Sequence, residues 1–219
     1  MSKGNINSKY SRLLAIVIAI IMIFSCASVS AEAKSSKTKK MNTYWSCVKS
    51  GDTVYCTSNN HNIFKVDLKT GRVNKLVTGN CYVDNLALKG KYLYYCDHGS
   101  GPAKTSYLCR VNVNTGKKKI LADWSSLEYV ISGSKIYYKK VIVKNYSIIK
   151  YKTYVMKLNG KKKKATKTKI KETSVDSNAA GFSTWNDIDW NKMNTGYTAH
   201  FYLKTPSGNI LLETAHPYF

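Results

Sequence analysis

Proline, arginine and acidic residues are all scarce in this chain. Of its 219 residues, 3 are proline and 12 are Asp or Glu, against 35 Lys and Arg. The only arginines are Arg12, Arg72 and Arg110. Arginine reads phosphates and base edges bidentately, whereas lysine acts as a hydrated point charge. The net charge of +23 therefore favours diffuse attraction to polyanions over specific readout. A genome rich in AT codons is the alternative source of the same excess of lysine.

Signatures of a catalytic or metal site are also missing. The cysteines contain no Cys-x-x-Cys pair, which excludes the common zinc motifs. A nucleophilic cysteine needs a histidine and an orienting partner, and the four histidines are scattered along the chain. Asp97-His98, before a Gly-Ser-Gly stretch, lacks the lysine and the spacing of a phosphate loop and indicates a plain flexible loop. We therefore expect no catalytic residue, no metal site and no cofactor.

One long apolar run is present, close to the N-terminus. Three basic residues precede Leu13–Phe24, a run of 12 apolar residues. Small residues follow it, and this order is typical of a signal peptide over residues 1–33, cleaved after Ala31 or Ala33. A helix of that run spans roughly 18 Å against roughly 30 Å of hydrocarbon. The sequence therefore predicts no stable transmembrane anchor.

Lipidation at Cys26 is the alternative fate of this segment. The preceding Phe24 is bulky for a lipoprotein signal, and the small-residue cleavage site further on competes with it. In either case the sequence predicts a secreted or cell-envelope protein. Loss of residues 1–33 removes three basic residues and one acidic residue and leaves a net charge of +21. Residues 34–43 are then expected to form a basic, flexible linker.

A repeat of about 40 residues organises the rest of the chain. Hairpin glycines recur 39 and 43 residues apart, at Gly51, Gly90 and Gly133. Each follows an apolar-polar alternation and precedes an aromatic strand, which is typical of a type II′ or I′ hairpin. A second strand pair follows in each unit around a further glycine. The repeat predicts three four-stranded meanders, at about 44–79, 80–124 and 125–171.

A more divergent fourth unit is predicted at 172–219. It contains a hairpin pair around Thr205-Pro206-Ser207-Gly208, and its first half keeps two tryptophans but has no hairpin glycine. Four-stranded units at this period are the mark of a β-propeller. We therefore predict an all-β, β-propeller-like domain over residues 44–219. It has about four four-stranded antiparallel units, in a ring that is four-bladed, open or completed by another chain.

The blades resemble a known kind of repeat. Their sequence pattern is Gly-x-x-Ile-Tyr-Tyr at Gly133–Tyr138 and Ile-x-Lys-Val-Asp-Leu-x-x-Gly at Ile63–Gly71, followed by Lys75-Leu76. This pattern, over residues 44–170, is similar to secreted bacterial propeller-like repeat domains of unassigned function, of the low-density-lipoprotein-receptor type. The Tyr-Trp-Thr-Asp tetrapeptide of that type is missing. The resemblance implies a fold and leaves the function open.

Two groups of residues are candidate ligand contacts. The first is the densest run of positive charge, comprising Lys161, Lys162, Lys163, Lys164, Lys167, Lys169 and Lys171. In a strand the last three share one side, where they either contact a polyanion or simply form a solvated edge that blocks strand pairing. The second group is the pair of aromatic side chains Trp185 and Trp190, which could stack on sugars or bases.

Because disulfides form in oxidising compartments, export would allow two pairs of cysteines to bond. If Gly51 and Asp52 are the central residues of the first hairpin turn, Cys47 faces Cys56 in a non-hydrogen-bonded pair with a Cα spacing of roughly 4.5 Å. We expect this bridge to form. Cys96 and Cys109 are placed on one face but diagonally offset, which makes a second bridge less favourable.

These features together favour a non-enzymatic extracellular or cell-envelope module. Its expected partner is an anionic envelope polymer or another protein, while export, the lack of arginine and the lack of a nucleic-acid motif argue against nucleic acid. One alternative is a propeller-type enzyme acting on glycans, with Asp187 and Asp189 as its carboxylates. Another is the remnant of a larger propeller.

Overall fold

The computed structural model describes residues 38–40, 43–44, 46–58, 61–99, 106–123, 125–144, 147–171, 181–189 and 198–215. Seventeen strands and no helix occur in this part of the chain. Residues from Thr38 onward belong to one compact unit. The predicted signal peptide, with Cys26 and both cleavage sites, lies outside the described residues.

Four antiparallel sheets make up most of the fold. Sheet 1 contains β2 (Cys47–Ser50), β3 (Thr53–Thr57), β4 (Asn62–Asp67) and β5 (Val73–Thr78). Sheet 2 contains β6 (Tyr82–Lys89), β7 (Tyr92–His98), β8 (Ser106–Asn112) and β9 (Lys118–Ala122). Sheet 3 contains β10 (Ser125–Ser132), β11 (Lys135–Lys144), β12 (Ser147–Lys157) and β13 (Lys164–Ala165). Sheet 4 contains β15 (Ser183–Asp189), β16 (Thr198–Thr205) and β17 (Gly208–Ala215).

Each of the first three sheets opens with the same tight hairpin. Gly51, Gly90 and Gly133 adopt φ values of 58°, 57° and 58°, and the residue after each glycine keeps a negative φ. A positive φ at the first central position alone defines a type II′ turn, which glycine adopts without steric cost. The turn fixes the strand register. Tyr129 consequently faces Tyr138, as the repeat predicts.

Apolar side chains join the sheets face to face. Ile63 of sheet 1 packs in one buried cluster with Leu93 of sheet 2, and Tyr94 of sheet 2 packs in a second with Ile136 of sheet 3. A third cluster joins Phe64 of sheet 1 to residues of sheet 4. The packing order is therefore 4–1–2–3, and among the described residues no buried cluster joins sheets 3 and 4. The predicted all-β, open propeller-like fold is confirmed, with three strands in the described part of the fourth unit.

A short parallel ribbon differs from the sequence prediction. β1 (Thr38–Lys40) pairs in parallel with β14 (Lys169–Lys171), although residues 34–43 were expected to be a flexible linker. Ile170 is buried, and the ribbon lies against β10 and β11. The Lys39 ammonium donates to the Ser132 hydroxyl at 3.0 Å and lies 5.0 Å from the centroid of the Tyr137 ring. Pairing over a separation this long in sequence leaves no local signal.

The first strands of sheets 1, 2 and 3 approach one another along their free edges. Tyr44, just before β2, exchanges two backbone hydrogen bonds of 2.7 and 2.6 Å with Leu86 of β6. The Tyr129 hydroxyl of β10 donates to the Asn85 carbonyl of β6 at 2.5 Å. These contacts hold the inner edges of the three sheets together.

Candidate functional site

The lysine segment begins at the tight turn between β12 and β13. The Gly160 amide donates to the Lys157 carbonyl at 2.9 Å, and Lys161 donates its amide to the Asn159 side chain at 3.0 Å. The chain then runs along β12 as the two-residue strand β13 and continues into β14. The seven lysines of 161–171 therefore lie in the turn before β13, in β13 and β14, and in the segment between these two strands.

All seven candidate lysines are exposed: Lys161, Lys162, Lys163, Lys164, Lys167, Lys169 and Lys171. In β14 the side chains alternate, with Ile170 buried between exposed Lys169 and Lys171. Lys169 and Lys171 therefore share one side of a strand, because Ile170 is buried between them. Lys167, which was predicted on the same side, lies between β13 and β14 and not in a strand. We call these seven residues the lysine surface.

The charge of the lysine surface is largely uncompensated. None of the ion pairs between described residues includes any of its seven ammonium groups. The charge of Lys163, one of the seven, affects the pKa of one acid, Asp123. Burial raises the pKa of Asp123, but a hydrogen bond from Lys140 and the charges of Lys140 and Lys163 outweigh that effect and lower the pKa overall. The surface is thus a field of solvated positive charges.

The aromatic candidate Trp185 lies on the outer face of sheet 4. It stacks on Tyr202 with ring centroids 4.6 Å apart, and its side chain is 37% exposed beside Leu211, which is 47% exposed. Asp187 is exposed on the same face, opposite His200. Trp190 and the side chain of Asp189 lie outside the described residues.

Four of the five described cysteines are buried, and Cys81 is partly exposed. Cys47 faces Cys56 in the predicted register, but both are free thiols, so the bridge is not formed. Cys96 faces Leu108 toward sheet 3, whereas Cys109 faces Tyr95 toward sheet 1. The expectation that Cys96 and Cys109 share a face is therefore wrong, because 96 and 108, not 96 and 109, are cross-strand partners.

A buried polar cluster was missed at the sequence level. Asp97 and His98 were expected in a flexible loop, yet they end β7 at 1% and 5% exposure. His98 Nε2 lies 3.1 Å from Asp84 Oδ1, its Nδ1 lies 3.1 Å from Ser106 Oγ, and Tyr82 stacks on its ring at 3.8 Å. The sequence did contain a signal, because residues two apart in a strand share a face. Tyr82 and Asp84 lie on one face of β6, and they pair with His98 and Cys96 on the same face of β7.

The hydrogen bonds of this cluster are largely shielded from solvent. A carboxylate only accepts hydrogen bonds, so the proton on Nε2 is directed at Asp84. The series Ser106–His98–Asp84 has the membership of a hydrolase triad, but the imidazole is covered by Tyr82 and buried. Asn85 continues the network by donating to Asp84 at 3.1 Å. Its side-chain oxygen accepts a hydrogen bond from Thr43 at 3.3 Å. The network therefore connects β6 to β7 within sheet 2, and β6 to Thr43 in the segment before β2.

On the opposite face of sheet 2, Asp97 is fully satisfied. Its carboxylate accepts the Asn80 amide at 2.9 Å and pairs with the Lys118 ammonium at 2.8 Å. In the part of the chain that the structure describes, no group of three His, Cys, Asp or Glu residues could hold a metal ion. Nor does that part contain a helix that is long and apolar enough to cross a membrane.

Comparison with known proteins gives likenesses of structure only. No protein-family model and no curated protein matches the chain. TolB from Acinetobacter baumannii is similar at 17% identity and a TM-score of 0.43, over 80% of this chain and 44% of that one. The N-terminal domain of Nup159 is similar at 12% identity and a TM-score of 0.38, over 76% and 46%. The tricorn protease is similar at 14% identity and a TM-score of 0.42, over 72% and 15%. This chain thus spans less than half of each structure, and likeness at this level carries no argument about activity or partners.

Proposed function

We propose that this protein is a non-enzymatic binding module that contacts anionic polymers through the lysine surface. The observation that carries the proposal is that all seven ammonium groups are exposed and without a carboxylate partner in the described structure. Exposed lysine point charges attract a polyanion without demanding a defined geometry. The partner class is therefore an acidic polymer, such as an anionic envelope glycan or an acidic protein segment.

The place of action that fits this partner is outside the cytoplasmic membrane. The support is the signal-like order of residues 1–33 and the resemblance of the blades to secreted bacterial propeller-like repeats. The protein would act there as a secreted or envelope-bound module. An oxidising compartment would also permit the Cys47–Cys56 disulfide.

The test is binding of the purified protein to dextran sulfate and to poly-glutamate at two salt concentrations. Because screening shortens the Debye length to a few ångströms by about 0.5 M salt, affinity should fall steeply. The triple variant Lys167→Gln, Lys169→Gln, Lys171→Gln should bind about ten-fold more weakly at low salt, at roughly 0.5 kcal/mol for each solvated charge.

The matched control removes three exposed lysines of sheet 2, by Lys91→Gln, Lys117→Gln and Lys119→Gln. It has the same net charge as the first variant, so an equal loss would show a response to total charge alone. That result, or binding that does not change with salt, would reject the lysine surface as the contact.

A second candidate function is glycan hydrolysis on the outer face of sheet 4. It is favoured by one observation, the exposed Trp185–Tyr202 stack next to exposed Asp187. An enzyme should lose turnover of a glycan substrate on the single change Asp187→Asn, whereas diffuse polyanion binding should not respond. The same uncovered face is where a further sheet would pack if the chain were the remnant of a larger propeller.

A further inference from the structure

A cavity of about 450 Å³ lies at the inner edges of the sheets. Its walls come from the last residues of β2 and β6 before their hairpin turns, together with Tyr44 and Ile131. Tyr44 closes one side because it is already paired to β6 through Leu86. The volume falls within the range of small-molecule sites. None of the seven residues of the lysine surface lines this cavity.

Backbone groups of the two strand edges point into the cavity. In a two-residue hairpin the first facing pair is hydrogen-bonded and the pair types then alternate. Ser50 faces Thr53 and Lys89 faces Tyr92. The next residues inward, Lys49 and Leu88, therefore direct their N–H and C=O groups away from the hairpin partner.

The Tyr44 contact confirms this direction. Leu86, two residues before Leu88, uses both of its backbone groups to bond Tyr44 on the cavity side. Leu88 continues that edge. Among the described residues, no group pairs with the cavity-side N–H of Lys49 or of Leu88. Among the described residues, two amide donors are thus open toward the same space, as the edges of two strands leave them.

The charge of the cavity has one sign. Among the described residues that line it, Lys49 and Lys89 are the only ionisable side chains apart from Tyr44, and both are exposed. The nearest acid along the chain is Asp52, whose carboxylate is held by Lys69 at 2.8 Å. The Lys49 ammonium instead lies 5.4 Å from the centroid of the Phe182 ring. Apolar walls are supplied by Val48, Leu88 and Ile131.

We propose that this cavity binds a small organic anion, namely a carboxylate or sulfonate carried on an aromatic ring. The oxyanion accepts hydrogen bonds from the amides of Lys49 and Leu88, within the positive potential of the two lysines. The ring lies against the apolar wall. A donor substituent on the ring reaches the open edge carbonyls. The site is independent of the polymer-binding proposal because it uses different residues.

The test uses 8-anilinonaphthalene-1-sulfonate, which combines a sulfonate, an N–H donor and apolar rings. Its fluorescence is titrated against the folded protein, and ¹H–¹⁵N spectra report where it binds. The amide signals of Lys49 and Leu88 should shift most. Lys49→Gln and Lys89→Gln should each weaken binding roughly five-fold, the factor for one solvated charge at contact distance. Lys117→Gln, a matched exposed lysine of sheet 2, should leave the affinity unchanged.

A variant that fills the cavity tests whether the probe binds inside it. Ser50 is exposed at the cavity rim, so Ser50→Trp should occupy the space, abolish probe binding and leave retention on dextran sulfate intact. Amide signal dispersion checks that the variant is folded. Undiminished binding to Ser50→Trp, or shifts centred on the Trp185 indole, would overturn the proposal. Equal losses in Lys117→Gln and Lys49→Gln would overturn it as well.

Discussion

Cys47 and Cys56 face each other across the β2–β3 hairpin as a non-hydrogen-bonded pair. The pair type follows from the next residues out, because the Thr57 amide donates to the Ser46 carbonyl at 2.8 Å and bonded and non-bonded pairs alternate. Both thiols are free and buried, at 5% and 0% exposure. Pairs of this type bring the Cα atoms to roughly 4.5 Å, at the short end of the range that a disulfide accepts.

We predict that the two thiols form a disulfide under oxidising conditions. One thiolate would attack oxidised glutathione and displace one glutathione, and the second would then displace the other, so that two reduced glutathiones carry away the two electrons and the two thiol protons. The closed loop is short, so the bridge should add about 2–3 kcal/mol at most. Peptide mapping without reduction should recover Cys47 bonded to Cys56. A Cys109→Ser variant should behave identically. Recovery of Cys47 as an alkylated free thiol after oxidation would contradict the prediction.

Thiol reactivity should follow burial. Burial raises the pKa of Cys47 to about 11 and that of Cys109 to about 12, and it also raises the pKa of Cys56 and Cys96. Only the thiolate attacks an alkylating agent. Because a raised pKa lowers the thiolate fraction at pH 8, these four should react slowly there and faster as pH approaches their pKa values.

Cys81 supplies the internal comparison, since it is the only partly exposed cysteine in the described residues. With iodoacetamide at pH 8, mass spectrometry should find Cys81 labelled first. Labelling of Cys47 should increase between pH 9 and about pH 11, the value to which its pKa is raised, as long as the sheets stay folded. Equal labelling rates at pH 8 for Cys47 and Cys81 would show that the hairpin opens.

The limits of sequence reasoning follow from the range of the interactions involved. The facing of Cys47 and Cys56 could be predicted because a two-residue turn sets it within ten residues. The pairing of Thr38 with Lys169 could not, because nothing local to either segment specifies its partner. Cys96 and Cys109 were misplaced for a similar reason, since the register of β7 and β8 depends on the long loop between them.

His98 should contribute strongly to stability through Asp84. Replacing it by phenylalanine, His98→Phe, keeps the stack on Tyr82 but removes the hydrogen bond to a carboxylate that is 2% exposed. A buried carboxylate left without its main partner costs about 3–5 kcal/mol. Urea unfolding measures this loss. Ser106→Ala, which removes only the other hydrogen bond of the ring, should cost about 1 kcal/mol.

A double variant separates the pair from simple loss of packing. Asp84→Leu combined with His98→Phe removes both polar partners together, so no unpaired charge remains buried. It should be more stable than His98→Phe alone. A double variant as unstable as the sum of its single changes would show that Asp84 and His98 do not act together.

Glu213 should hold sheet 4 against sheet 1. Its carboxylate on β17 accepts a hydrogen bond from the Ser58 hydroxyl at 2.5 Å and from the Asn62 amide at 2.7 Å. It also pairs with the Lys75 ammonium at 3.2 Å, and its side chain is only 10% exposed. Glu213→Ala removes the carboxylate that accepts from both side chains, and the buried Asn62 donor loses this acceptor at a cost of about 1–3 kcal/mol.

The loss should be local before it is global, because sheet 4 has only sheet 1 as a buried neighbour in the described structure. Hydrogen exchange in Glu213→Ala should therefore accelerate in β15–β17 while β6–β8 stay protected.

The matched control is the exposed ion pair of Asp52 with Lys69, with side chains 60% and 75% exposed. Asp52→Asn should leave both the unfolding free energy and exchange in sheet 4 nearly unchanged, because solvent screens an exposed ion pair. If Glu213→Ala accelerates exchange equally in all four sheets, the carboxylate stabilises the whole fold rather than the docking of sheet 4.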